Sequence, residues 1–282
     1  MLAGTELRKV RRLGEVLTDS FNILFAHWRK LAIISVPVVV ANIAFALVIL
    51  AITHDVPTAE EISSDTAEFT TEEAIELLLL SGIAALIAVP VIFVLQQLVT
   101  GGAVVYLDET DKGNTISPAD ALDRAQANLG PLIGATLRAA IIVLLFCITL
   151  IGIPWGIYRA VRWVFLAQVI MIEGKRGEEV LARSAELVQG RWWNTLGRLV
   201  VVALVVSIPV GLLQQALIAA APGIVGTILS SATGFITVPF GIIGLSLMFF
   251  DLRARKAEHD STHTPAEPAT QSDRPRQGAR DL

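Results

Sequence analysis

The chain has 282 residues, of which 54% are hydrophobic and 17% charged, and its mean hydropathy is +0.64. Soluble domains carry about a quarter of their residues as charges, so this composition excludes an ordinary water-soluble globule. A net charge of -4 and a pI near 5.6 give none of the basic signature of a nucleic-acid binder.

In chain order, residues 1–12 form a basic segment with Arg8, Lys9, Arg11 and Arg12, and no small-residue cleavage site follows them. Leu13, Val16, Leu17, Ser20, Phe21, Leu24, Phe25 and Trp28 then recur at helical spacing on one stripe. The first membrane span is expected over about 31–53 and the second over about 77–107, with Pro90 and Gly101-Gly102 inside it. Between them, 54–76 holds eight acids and no lysine or arginine. Ser117-Pro118-Ala119-Asp120 is a helix start, with an N-cap serine, a first-turn proline and an acid at the third position. Spans three and four are expected over about 132–152 and 155–172, with Gly152-Ile153-Pro154-Trp155-Gly156 as the turn between them. A further amphipathic stretch runs through Leu181, Ser184, Leu187, Val188 and Trp192.

From Leu199 to Phe250 no Asp, Glu, Lys, Arg or His occurs. Roughly 20 apolar residues cross a bilayer, so this run holds two spans, about 199–220 and 224–250, hinged at Ala221-Pro222-Gly223. The polar tail 257–282 is expected to be disordered. The fold class is therefore all-α: a polytopic bundle of six spans in three hairpins over 13–256, each hairpin preceded by an amphipathic interfacial helix. Lysine and arginine gather at the N-terminus, after span four and after span six. The positive-inside rule then puts both termini in the cytoplasm, in a multi-pass plasma-membrane protein, with the acidic loop outside.

An internal pattern supports three copies of one unit. Glu15-Val16-Leu17, Asp120-Ala121-Leu122 and Glu179-Val180-Leu181 align, and the same offsets then superpose Ser20, Ala125 and Ser184, and Trp28, Ile133 and Trp192. Each even-numbered span ends in an acid: Asp108, Glu173 and Asp251.

Candidate functional residues follow from cost. Arg159 and Arg162 lie three apart, near the expected outer end of span four. A charge at that depth either snorkels to the interface or faces a site for an anion or headgroup. Asp108, Glu173, Arg183, Arg191, Asp251 and Arg253 form a candidate cytoplasmic ion-pair cluster. Trp28, Arg29, Lys30, Trp192 and Trp193 are expected interfacial anchors, with membrane lipids as partners. A second copy or another membrane protein is left open as partner. Cys147 is the only cysteine and the four histidines form no ligand pair, so no metal and no cofactor is expected. Phosphate-binding loops, the nucleophile elbow and the dinucleotide fingerprint are missing, and no enzyme is expected. Two functions remain: a non-enzymatic accessory or scaffold protein, and a small permease or lipid-handling transporter using Arg159 and Arg162.

The block Arg162-Trp163-Val164-Phe165, Ile172-Glu173-Gly174, Leu181-Ala182-Arg183-Ser184 and Leu187-Val188-Gln189-Gly190-Arg191-Trp192-Trp193 resembles a family pattern, as does Phe250-Asp251-Leu252-Arg253-Ala254-Arg255. It is similar to uncharacterised prokaryotic membrane proteins grouped with the membrane domain of glycerophosphoryl diester phosphodiesterase. The resemblance implies a six-helix bundle without an assigned activity. In the phosphodiesterase members catalysis belongs to a separate soluble barrel, which has no counterpart here, so it implies no catalytic residue.

Overall fold

A computed structural model describes residues 11–54 and 70–263 of the chain. Among them every regular element is an α-helix. Six segments are long and apolar enough to cross a membrane: Leu13–Ile52, Thr71–Asp111, Leu129–Cys147, Ile153–Glu173, Trp192–Ala220 and Ile224–Glu258.

Helix α1, Leu13–Ile52, joins the first amphipathic stretch and the first span without a break. The expected separate interfacial helix is thus corrected here: His27-Trp28-Arg29-Lys30 contains no glycine or proline to end the helix. Helix α2, Thr71–Asp111, opens with a capping box in which the Thr70 N–H donates to Glu73 at 2.8 Å. Glu72, Glu73 and Glu76 consequently belong to this helix, and the other five acids of 54–76, Asp55, Glu60, Glu61, Asp65 and Glu68, lie outside the described residues. Helix α3, Pro118–Ala127, starts as its sequence predicts, with Ser117 Oγ accepting from the Asp120 N–H at 3.1 Å.

Helices α4, Leu129–Cys147, and α5, Ile153–Arg162, form the middle hairpin. The turn between them is 148–152, not 152–156, because a proline in the first turn begins a helix rather than ending one. Gly152 closes this turn, since a Cβ there would lie 2.0 Å from the Phe146 carbonyl oxygen. The fourth segment is interrupted at Trp163–Phe165 before α6, Leu166–Glu173. Helix α7, Glu178–Val188, buries Val180, Leu181, Ser184, Ala185, Leu187 and Val188 on one face. Helix α8, Trp192–Ala220, ends at a turn where Gly223 takes φ 79°. The last segment is also interrupted, at Thr233, between α9, Ile224–Ala232, and α10, Gly234–His263. Helix α10 therefore extends past 257 into the stretch expected to be disordered, and the rest of that stretch is outside the described residues.

Burial is uneven in the manner of a membrane protein. Helix α10 is the central post, with Phe240, Ile243, Leu247, Phe249 and Phe250 enclosed, and α1 packs along it. In contrast, α2 exposes Leu78, Leu79, Leu86 and Ile87, and the middle hairpin exposes Leu150 at 85% and Ile151 at 87%. Apolar surface on this scale needs hydrocarbon around it. Inside a bilayer the helices gain nothing from leaving lipid, so close approach by small residues must hold them together. Gly101 serves this purpose: a Cβ there would meet Met171 Cε at 2.9 Å and Ala125 Cβ and Leu132 Cδ1 at 3.0 Å, on three different helices. Gly244 does the same against Val202 Cγ1 at 2.9 Å.

Candidate functional site

The most deeply held charge is Asp251 on α10, with no solvent exposure. Its carboxylate accepts from the Arg11 backbone N–H at 2.6 Å, from Arg198 Nη1 of α8 at 2.5 Å, and from Arg255 Nε at 2.9 and 3.0 Å. The Arg11 carbonyl in turn accepts from Arg198 Nη2 at 3.2 Å and Arg255 Nη2 at 2.9 Å, and Arg11 Nε donates to Asp19 at 2.8 Å. A carboxylate removed from water stays charged only with such partners. The knot ties the chain's N-terminal side to α8 and α10.

Glu173 ends α6 and is bound by one edge of a guanidinium, Arg183 Nε at 2.8 Å and Nη2 at 3.2 Å, with Arg253 Nε at 3.9 Å. Arg183 also reaches Glu186 at 3.0 Å, and Lys256 donates to the same carboxylate. These bonds, that of Lys256 foremost, hold the Glu186 carboxyl below its ordinary range, and the Glu173 bond raises Arg183 further. Asp108 pairs with Lys112 at 2.5 Å, apart from the other two acids. The candidate ion-pair residues thus divide into separate groups, one about each acid. Arg191 joins none of them: its side chain has no ion-pair partner among the described residues, and it lines an open cleft of about 290 Å³ with Gln189, Arg255 and Lys256. Sequence reading missed Arg11, Asp19, Arg198 and Arg255. Two signals were available, since Arg198 is the last ionisable residue before the charge-free run and Arg255 lies one turn beyond Asp251.

Arg159 and Arg162 stand on α5 in an aromatic setting. The Arg159 guanidinium carbon is 5.4 Å from the Trp163 ring centroid, and that of Arg162 is 5.5 Å from Tyr158. Tyr158 meets Trp155 edge-on at 6.3 Å and Trp192 at 5.6 Å, and Trp192 meets Trp193 at 4.6 Å. Four of the chain's five tryptophans gather here. Neither arginine has a carboxylate within salt-bridge distance among the described residues. Two bonds fix the site to the elements that follow it. Trp192 Nε1 donates to the Tyr158 carbonyl at 3.2 Å. Ser184 Oγ, wholly buried on α7, donates to the Arg162 carbonyl at 2.9 Å and accepts from the Phe165 N–H at 3.2 Å. One hydroxyl so satisfies two of the backbone groups freed by the helix interruption, which hydrocarbon would not.

This geometry corrects the outer-end position expected for the pair. Trp192 begins α8, and Arg198 of the same helix is bound to Asp251. The arginines therefore lie at the bundle end that carries Arg11, Trp192 and Asp251. Arg138 on α4 pairs with Glu178 at 2.9 Å, both exposed. At the corresponding level of α1, the Arg29 guanidinium lies 5.9 Å from the Trp28 ring and Lys30 Nζ 5.6 Å from the Tyr106 ring, whose hydroxyl is 2.8 Å from His27 Nδ1. Trp28 and Trp193 are exposed, at 58% and 79%. Among the described residues no three His, Cys, Asp or Glu side chains converge as a metal site, and Cys147 is exposed. Comparison of the chain with models of protein families, with curated proteins and with solved structures finds no match.

Proposed function

We propose that this is a multi-pass plasma-membrane protein without catalytic chemistry, an accessory or scaffold protein that gathers anionic lipid headgroups at its cytoplasmic end. One observation carries the reading: two guanidinium groups on α5 have aromatic neighbours and no carboxylate within reach among the described residues. A guanidinium beside hydrocarbon needs an anion, and its planar fork suits a phosphate. Tryptophan and tyrosine favour the headgroup layer, where one end of the ring is apolar and the other wet. Trp28 and Trp193 are likewise exposed, and Arg29, Lys30 and Arg191 lie within two residues of them in sequence. Membrane lipids are thus the first partners.

The alternative, a permease or lipid-handling transporter at the same arginines, needs a wet passage to them; the cleft beside Arg191 is lined by other residues. The full chain, purified in native lipid, is compared with Arg159→Gln/Arg162→Gln by mass spectrometry of retained lipid. The proposal expects anionic lipid enriched over its bulk share in the parent and reduced to that share in the double variant, with Arg138→Gln unchanged. Equal lipid in all three refutes it. For the orientation, in a Cys147→Ser background, Asp65→Cys should react with an impermeant maleimide on intact cells and Thr270→Cys only after permeabilisation; the reverse pattern refutes it.

A further inference from the structure

A second site lies far from the arginines. A groove of about 550 Å³ opens between α1, α8 and the interruption of the last segment. Its walls include Val39, Phe45 and Ile49 of α1 and Val238 of α10, among which stand the polar Asn42, Gln214, Ser231 and Thr237. Part of this polarity is spent on the fold. Gln214 Nε2 donates to Thr233 Oγ1 at 2.7 Å and to the Ser230 carbonyl at 3.4 Å, so it props the point where α9 gives way to α10. Asn42 Nδ2 donates back to the Val38 carbonyl at 2.8 Å, and Thr237 Oγ1 to the Thr233 carbonyl at 2.8 Å.

The remainder is unused. The amide oxygens of Asn42 and Gln214 and the hydroxyl of Ser231 have no hydrogen-bond partner among the described residues, and they edge the groove. At the 1.5 Å helical rise, Asn42 lies about 15 Å from the end of α1, and Gln214 about 9 Å from the end of α8. Both are therefore inside the apolar zone, where polar groups left without partners are costly. No ionisable residue occurs from Leu199 to Phe250, and none lines the groove. A charged headgroup at this depth would have no counter-charge.

We propose that the groove binds an uncharged lipid with a free hydroxyl and ester carbonyls, the chemistry of a diacylglycerol. Such a molecule lacks the phosphate that holds a phospholipid at the surface, so its polar end can sink to Asn42, Gln214 and Ser231. The hydroxyl donates to an amide oxygen, the ester carbonyls accept from the remaining amide and hydroxyl hydrogens, and one acyl chain lies along Phe45, Ile49 and Val238.

The test uses the full chain in phosphatidylcholine nanodiscs doped with a photo-crosslinking diacylglycerol. Saturable labelling within 39–49 or 231–238 is expected, displaced by unlabelled diacylglycerol and not by added phosphatidylcholine. Asn42→Leu and Ser231→Ala should each weaken it about fivefold, the scale of one neutral hydrogen bond. Ala46→Phe, which fills the groove and touches none of its hydrogen bonds, should abolish it and so separates occupancy from folding. Arg159→Gln/Arg162→Gln should leave it unchanged, which keeps this site distinct from the headgroup surface. Labelling that is equal in all groove variants, or displaced as well by phosphatidylcholine, overturns the proposal. So does a disulfide between Cys residues placed at position 42 of two copies, which would put a second chain in the groove.

Discussion

Asp251→Asn keeps the shape of the central carboxylate and removes its charge. Arg198 and Arg255, whose side chains are 12% and 23% exposed, would then face a neutral amide in a site with little water. Removing one partner from a buried ion pair costs about 3–5 kcal/mol. The partial exposure of Arg255 argues for the lower end, about 3 kcal/mol. This cost falls on the contacts that hold the N-terminal side in place, because the Arg11 N–H bonds Asp251 and the Arg11 carbonyl bonds the same two guanidiniums. Arg11 itself is 1% exposed, so trypsin can cut the Arg11–Arg12 bond only after local opening. At tenfold per 1.4 kcal/mol, limited proteolysis after Arg11 should quicken about a hundredfold in Asp251→Asn, when cleavage follows the opening equilibrium. Adding Arg198→Met removes a stranded cation and should recover part of the protection. A cleavage rate unchanged from the parent, with the Asp251→Asn protein still folded, would refute the reasoning.

Ser184→Ala strands the Arg162 carbonyl and the Phe165 N–H at a buried interruption and should cost about 1–3 kcal/mol in thermal unfolding. Ser20→Ala, whose hydroxyl only bonds back to Val16 within its own helix, should cost far less, and equal losses would count against the role given to Ser184. Gly101→Val should overpack the meeting of α2, α3 and α4 by about 1–3 kcal/mol or more, read as a lower midpoint in nanodiscs, whereas Gly130→Val, with open space around it, should be milder. Glu186 is held below its ordinary value by Lys256 and Arg183, so its contribution is complete above about pH 4.5 and fades as pH falls through the lowered value. Because that carboxyl is 45% exposed, the tether between α7 and α10 is worth under about 1 kcal/mol. Glu186→Gln should flatten the acid limb of the stability curve by that amount, and an unaltered limb would speak against the tether.

Hydropathy made the six segments legible because a bilayer imposes a length that few other structures share. Their ends were harder. Pro154 and Gly156 suggested a turn, yet proline is welcome in a first helical turn, and the real turn is set by Gly152 against Phe146. The interruption at Trp163–Phe165 has no breaker in the sequence, and at Thr233 only the adjacent Gly234 marks one. Both interruptions exist because distant side chains, Ser184 and Gln214, supply the missing hydrogen bonds. The same distance concealed the Asp251 knot: its nearest partner in sequence, Arg255, is visible at helical spacing, but Arg11 is 240 positions away. Arg159 and Arg162 were recognisable by their cost, while their level in the bundle followed only from the bond between Trp192 and Tyr158.

The aligned positions Ser20, Ala125 and Ser184 occupy related surroundings. Ala125 packs at Gly101 of α2, Ser184 at the interruption before α6, and Ser20 lies 3.9 Å from where Gly244 of α10 would place a Cβ. The second and third amphipathic stretches thus lean on the segment just before them, and the first leans on the last segment of the chain. An acid closes each of those segments, but the joins differ. Asp108 meets Lys112 one turn away and Glu173 meets Arg183 across a short loop, so the covalent chain keeps those partners close. Arg11 and Asp251 have no such tether, and loop closure over so many residues must be opposed by the contact itself. The site where Arg11 meets α10 is accordingly the one with a fully buried carboxylate and three donors upon it.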